Sequence, residues 1–203
     1  MQCRLDVGFL LDGSRSINNR LWSNMTQVVK QMAREISISD TEGHVSVTMF
    51  AMKAEVSFQF CEAKNISRIK NGLNDISITR GTYPQGTLTN IVTALNVSLY
   101  KMFSVNNGAR IGVPKTLIVI TNGDCQICHN TTYKTDLTDI VKQFEMRKIR
   151  VILISTKDSY AWIKETYQVA ITGEDNFHLI QNNDQLSKDD FIRNVSVCDG
   201  MFS

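Results

Sequence analysis

The chain has 203 residues, 42% of them apolar and 21% charged, which is enough to bury a sizeable core and ordinary for a globular protein. A net charge of +2 gives no general pull toward nucleic acid or an anionic membrane, and the apolar runs fall far short of the roughly 20 residues that membrane insertion requires. Met1-Gln2-Cys3 lacks the form of a secretory signal, so the expectation is either a mature fragment or an intracellular chain.

Two features favour a secreted fragment. Five cysteines, Cys3, Cys61, Cys125, Cys128 and Cys198, leave one over after pairing. The odd one is a free thiol, an intermolecular bridge, or half of a bridge to something outside the fragment. Glycosylation triplets stand at Asn24, Asn65, Asn96, Asn130 and Asn194; Asn24 and Asn96 fall in helical patterns, so not all five need be used.

In chain order, residues 5–11 (LDVGFLL) are nearly all apolar, as in a strand covered on both faces. A helix is predicted over about 18–36, with Leu21, Met25, Val28, Met32 and Ile36 on one stripe. Residues 45–50 and 56–60 read as strands. In the second, Val56, Phe58 and Phe60 alternate with Ser57 and Gln59, the pattern of a half-exposed edge strand. The short gap between them predicts a hairpin. A short helix over about 67–76 is followed by a loop over 79–88 with Gly81, Pro84 and Gly86 as turn residues. A helix over about 90–103 leads to a second buried strand, TLIVIT, at 116–121. Next come a helix over 136–148 with Leu137, Ile140, Val141 and Phe144 inward, a strand at 151–155 and a helix at 160–170. A strand at 177–180 and a helix over about 188–197 with Ser187 as its N-cap close the chain. This alternation predicts an α/β fold in one domain, 1–203: a doubly wound, Rossmann-like open sheet of about six strands, mostly parallel with one antiparallel edge strand and helices on both faces.

Asp12-Gly13-Ser14-Arg15-Ser16 follows the first strand directly. It puts one carboxylate and two hydroxyls at the C-terminal end of a buried strand, where ligands of open α/β sheets collect. Oxygen-only donors suit hard cations such as Mg²⁺, Mn²⁺ or Ca²⁺.

Three segments, LDVGFLLDGSRSI (5–17), GTLTN (86–90) and GARIGVPKTLIVITNG (108–123), make nearly all of residues 3–200 resemble a von Willebrand factor type A domain. The last segment is more similar to the matrilin and fibril-associated collagen branch than to integrin I domains. The resemblance implies a metal-ion-dependent adhesion site with Asp12, Ser14 and Ser16 on its first loop and Thr89 on its second. Its third loop normally supplies an Asp in a T-D-G sequence, and here that position is Asn122. Asn keeps a carbonyl acceptor and loses a negative charge, which weakens a hard-cation site; Asp124, two residues on, could turn inward to compensate. The implied function is that of an extracellular adhesion or matrix module binding a protein, collagen by branch, whose carboxylate completes the cation's shell. The alternative is a structural matrix assembly protein that binds without metal and is cross-linked through Cys61. Neither paired acid/base carboxylates nor a Ser-His-Asp constellation in motif context points to an enzyme.

Cys125-Gln-Ile-Cys128-His129 has the C-x-x-C-H form of haem attachment. The favoured reading is a local disulfide stiffening the rim loop, ahead of haem, redox chemistry, or a zinc site drawing on His44 or His178. Cys3 before the first strand and Cys198 at the end of the last helix are expected to bridge the termini, worth about 4–5 kcal/mol in the chain-entropy model. Trp22 and Trp162 are expected in the core. Tyr83 and Arg80 belong to the rim loop before Thr89. Lys142, Arg147, Lys148 and Arg150 read as a solvated helix end, or as a polyanion patch.

Overall fold

The computed structural model describes residues 4–63, 65–79, 89–122, 131–155 and 177–179. Outside these lie residues 80–88 of the loop expected over 79–88, whose first residue, Thr79, is instead helical, the expected helices at 160–170 and 188–197, and Cys3, Asp124, Cys125, Cys128, His129, Asn130, Trp162, Asn194 and Cys198.

Strand β1 (Asp6–Asp12) is buried along its whole length, as its apolar run requires. Helix α1 (Asn19–Glu35) starts where Asn18 Oδ1 accepts the N–H of Leu21 at 2.8 Å. It buries the expected stripe of Leu21, Met25, Val28 and Met32, together with Trp22. Strands β2 (His44–Phe50) and β3 (Ala54–Phe58) form the expected antiparallel hairpin. Helix α2 (Ile66–Thr79) follows; α3 (Ile91–Val97) continues as a π-helical turn over Ser98–Met102. Then come β4 (Lys115–Thr121), α4 (Thr131–Met146), β5 (Ile149–Ser155) and β6 (Phe177–Leu179).

The sheet runs β3-β2-β1-β4-β5-β6, and every pairing except β2–β3 is parallel. The strand order therefore reverses between β1 and β4, which places the crevice outside their C-terminal ends at a topological switch point. Two apolar layers flank the sheet. Val7, Phe9 and Leu11 pack under α1 and α2, whereas Leu10, Leu117 and Val119 pack under α3 and α4.

Three elements depart from the sequence expectation. A register shift between Val47 and Thr48 breaks the alternation of β3: Phe58 packs in the first layer, and Val56 and Phe60 against the second. The three side chains thus do not share one face. Helix α4 begins at Thr131 rather than 136, because Tyr133, four residues before Leu137, extends the buried stripe. The helix after Asn90 widens into a π turn, with the N–H of Phe103 reaching back five residues to Ser98 O at 3.0 Å.

At the end of the sheet where the parallel strands begin, Asp6 is fully buried and held by Arg110. The Arg110 backbone N–H donates to Asp6 Oδ2 at 2.7 Å and Nε donates to Oδ1 at 2.8 Å. Nη2 also donates to the carbonyls of Leu5 (3.1 Å) and Glu42 (2.7 Å). Lys115 Nζ donates to the carbonyls of Arg110 and Val113 at 2.6 and 2.9 Å. Burial pulls the Lys115 ammonium below its ordinary pKa against the opposing attraction of Asp6, with Arg110 adding to the decrease. This network fastens the loop before β4 to the base of β1 and β2.

Candidate functional site

The loop leaving β1 is fixed by its own backbone. The N–H of Gly13 donates to Phe50 O at 2.7 Å, and the N–H of Ile17 closes a turn onto Ser14 O at 3.1 Å. A Cβ on Gly13 would lie 2.9 Å from Met49 Cγ and 3.0 Å from its Sδ, so a residue without a side chain lets the loop pass close to β2. Asp12 and Ser14 are buried while Ser16 is exposed. Asp12 Oδ1 accepts the backbone N–H of Ser14 at 2.9 Å, and Oδ2 accepts the hydroxyl of Thr121 at 2.6 Å. The Ser14 and Ser16 hydroxyl oxygens lie 2.9 Å apart.

Thr89 is 2% exposed. It precedes Asn90, whose N–H donates to Ala51 O, just beyond β2, at 2.9 Å. Asn90 Oδ1 caps α3 by accepting the N–H of Thr93 at 3.0 Å. The phenolic oxygen of Tyr133, on α4, accepts two more N–H groups of that helix start, from Ile91 at 2.8 Å and Val92 at 3.3 Å. Burial pushes the Tyr133 hydroxyl up to about 12, against the opposing effect of the two N–H bonds from Val92 and Ile91. Asn122 directly follows β4 and is 7% exposed. Asp12 ends β1, Asn122 follows β4, and Thr89 adjoins Asn90, which bonds just beyond β2, so the three residues stand at the C-terminal end of the sheet.

Thr121 and Tyr133 were not singled out by the sequence. Thr121 closes the TLIVIT strand, and its role follows only from the pairing of β4 beside β1. Tyr133 had a weak signal as the helical neighbour of Leu137 and Val141. His44 starts β2 at the opposite end of the sheet from Asn122. Among the described residues no group of three or more His, Cys, Asp or Glu side chains is placed to hold a metal; Asp124 lies outside them.

Cys61 is a free, exposed thiol just beyond β3, with Sγ 3.5 Å from Gln59 Oε1. In the basic cluster, the Arg147 guanidinium lies over the Tyr100 ring at 4.8 Å. Lys142 pairs with Asp139 at 3.8 Å on an open surface.

The family model for the von Willebrand factor type A domain matches residues 6–191. The chain belongs to that family. Over 147 residues it is 29% identical to matrilin-1 of Gallus gallus, covering 72% of the chain and 28% of matrilin-1. It is 31% identical over 123 residues to the collagen alpha-5(VI) chain of Homo sapiens, covering 61% of the chain and 4% of that protein. Human integrin alpha-X matches at 30% over 118 residues, or 58% of the chain and 10% of the integrin. The chain therefore spans less than a third of each of these relatives. A solved structure of proximal thread matrix protein 1 from the mussel byssus superposes with a TM-score of 0.80 at 19% identity, covering 96% of the chain and 48% of that protein. Another, with TM-score 0.79, is described as having a zinc-occupied MIDAS motif. This likeness shows the same type A fold. The relatives place the domain among secreted, extracellular matrix proteins.

Proposed function

We propose that this type A domain, read as a single unit over 1–203, is a binding module and not an enzyme. It engages an extracellular matrix protein, collagen being the first candidate, through a divalent cation held by Asp12, Ser14, Ser16, Thr89 and Asn122. The observation that carries the reading is the geometry at Asp12. One buried carboxylate is oriented by the Ser14 N–H and the Thr121 hydroxyl, beside two hydroxyl oxygens 2.9 Å apart. The donors of the proposed set are all oxygens, one carboxylate with hydroxyls and an amide, and such a set would suit a hard cation such as Mg²⁺ or Mn²⁺. The zinc-bearing mussel relative supports a divalent ion on this fold; collagen VI and matrilin-1 among the relatives support a matrix partner.

When bound, the cation supplies an electrophilic position that a partner carboxylate can complete. The chain's own residues do the rest. Thr121 and the Ser14 N–H hold the Asp12 carboxylate in place, the Ser14–Ser16 turn presents its hydroxyls, and the anchored start of α3 carries Thr89. Asn122 removes one negative charge from the set. The free domain then binds cation weakly, and the charge it lacks is left for the ligand to supply.

The test is calorimetric titration of Mg²⁺ and Mn²⁺ into chelator-stripped protein, with Asn122→Asp alongside and intact mass confirming that Asn122 has not deamidated. Saturable heat in the wild type, with binding at least about tenfold tighter in the variant, is expected, since affinity follows ligand charge count. Binding by the variant alone overturns the reading.

The exposed Cys61 thiol supports a second reading, assembly without metal through an intermolecular disulfide. In both readings Cys3–Cys198 and Cys125–Cys128 are proposed as disulfides within the chain.

A further inference from the structure

We infer that Asn65 is an N-linked glycan acceptor and that its glycan leaves the domain on the side away from the rim. The inference rests on secretion and not on the cation reading. Asn65 and Ser67, the two residues a transferase must read, are both exposed. Asn65 stands at the start of α2, where its Oδ1 accepts the N–H of Arg68 at 3.0 Å. That bond fixes which way the amide faces. The oxygen is turned to the helix end, and Nδ2, the atom that takes the sugar, is turned away from it.

The helical triplets are arranged the other way. Asn96 is half-buried, its Nδ2 donates inward to Val92 O at 3.0 Å, and the hydroxyl of Ser98 is buried on Ala94 O at 3.0 Å. In the Asn24 triplet the Thr26 hydroxyl is likewise turned onto its own helix, at Ser23 O, 2.9 Å away. A sugar on Asn65 has open space before it, whereas one on Asn96 starts against the α3 backbone.

The position also has a consequence for binding. Asn65 lines an open groove with Arg34, Ile38 and Glu42, at the end of the sheet where β2 begins. Asp12 and Asn122 are at the other end, so a bulky, hydrated glycan at Asn65 leaves the rim clear. In the transfer, Nδ2 forms a bond to C1 of the first N-acetylglucosamine of a lipid-diphosphate-linked oligosaccharide. The C1–O bond to the diphosphate breaks, the lipid diphosphate departs with the bonding pair, and Nδ2 gives up one proton.

The experiment is secretion of the chain from animal cells, release of glycans by a peptide amidase in heavy-oxygen water, and peptide mapping. Release converts a glycosylated Asn to labelled Asp; at position 65 the new carboxylate can still cap Arg68, so the fold survives. Label is expected at Asn65 and not at Asn96. Ser67→Ala, which leaves the cap in place, is expected to lose one glycan from the intact mass. Absence of label at Asn65, stronger label at Asn96, or an unchanged mass in Ser67→Ala overturns the inference. Cation affinity is expected to be the same before and after release; a change of tenfold or more overturns the placement away from the rim. Absence of any cation binding would sink the rim reading and leave the glycan assignment standing.

Discussion

Tyr133→Phe removes a single oxygen that holds two backbone N–H groups at the start of α3. At neutral pH the loss leaves the N–H groups of Ile91 and Val92 without that acceptor, Ile91 being buried, and should cost about 1–3 kcal/mol. The pH dependence gives a sharper signature. The hydroxyl titrates at about 12 in the folded protein against about 10 in an unfolded chain. Below about pH 10 both states keep the proton, and the contribution is fully present. Between about 10 and 12 the unfolded state releases its proton while the folded state holds it, so stability falls by about 1.4 kcal/mol per pH unit, near 3 kcal/mol in all. The phenyl ring of the variant has no proton to release. The stability advantage of wild type over variant, measured by urea denaturation, should be present at about pH 8 and shrink toward zero or reverse by about pH 11–12. Subtracting the variant removes the lysines and other tyrosines common to both proteins. An advantage that stays constant across that window would refute the argument, because the oxygen would then have the same proton affinity folded and unfolded.

Thr121→Val keeps the shape of the side chain and removes the 2.6 Å bond to Asp12. A hydrogen bond to a charged group is worth about 1.5–3 kcal/mol, so in chelator the melting temperature should fall by about 3–12 °C, with Thr121→Ser recovering most of the loss; a fall under about 1 °C refutes the role. Arg110→Met leaves the fully buried Asp6 carboxylate without its ion-pair partner and should cost about 3–5 kcal/mol in urea denaturation. Its cation affinity at the rim should be unchanged, because the pair lies at the opposite end of the sheet. Cys61→Ser should leave stability within about 0.5 kcal/mol, as for an exposed position. It should also abolish any disulfide-linked dimer on non-reducing gels; a dimer that persists in the variant rules out Cys61 as the link.

Much of this architecture is legible in the sequence because two different periods are at work. Runs such as LDVGFLL and TLIVIT, short and apolar on nearly every residue, read as strands covered on both faces. The stripe from Leu21 to Met32, at spacings of three and four, marks one buried side of a helix. What the sequence hid were features decided by neighbours distant along the chain. The bulge opposite Val47 and Thr48 follows from how β3 meets β2, and no local composition announces it. The early start of α4 lies in a polar stretch, Thr131-Thr132-Tyr133-Lys134, whose helical state depends on where Tyr133 is buried. At the site, Asp12, Ser14 and Ser16 were readable because one loop carries all three. Thr121 was not, because its value comes from the adjacency of β1 and β4, residues more than a hundred apart.

The Asn at position 122 changes how the rim should be regarded rather than merely how strong it is. With a carboxylate at both Asp12 and position 122, a divalent ion would be neutralised by the protein alone and would have little further demand for anions. With Asp12 as the only formal charge in the proposed set, an ion bound there keeps a residual positive charge beside the buried Asp12, Ser14, Thr89 and Asn122, where attraction for an incoming carboxylate is screened less than in water. Cation and ligand are then thermodynamically coupled: whatever factor the ion adds to the affinity for an acidic partner, the partner must return to the affinity for the ion. Weak cation binding by the free domain is therefore compatible with strong cation-dependent adhesion. An apparently degraded motif can thus act as a site that binds its cation weakly alone and more tightly when its ligand is present.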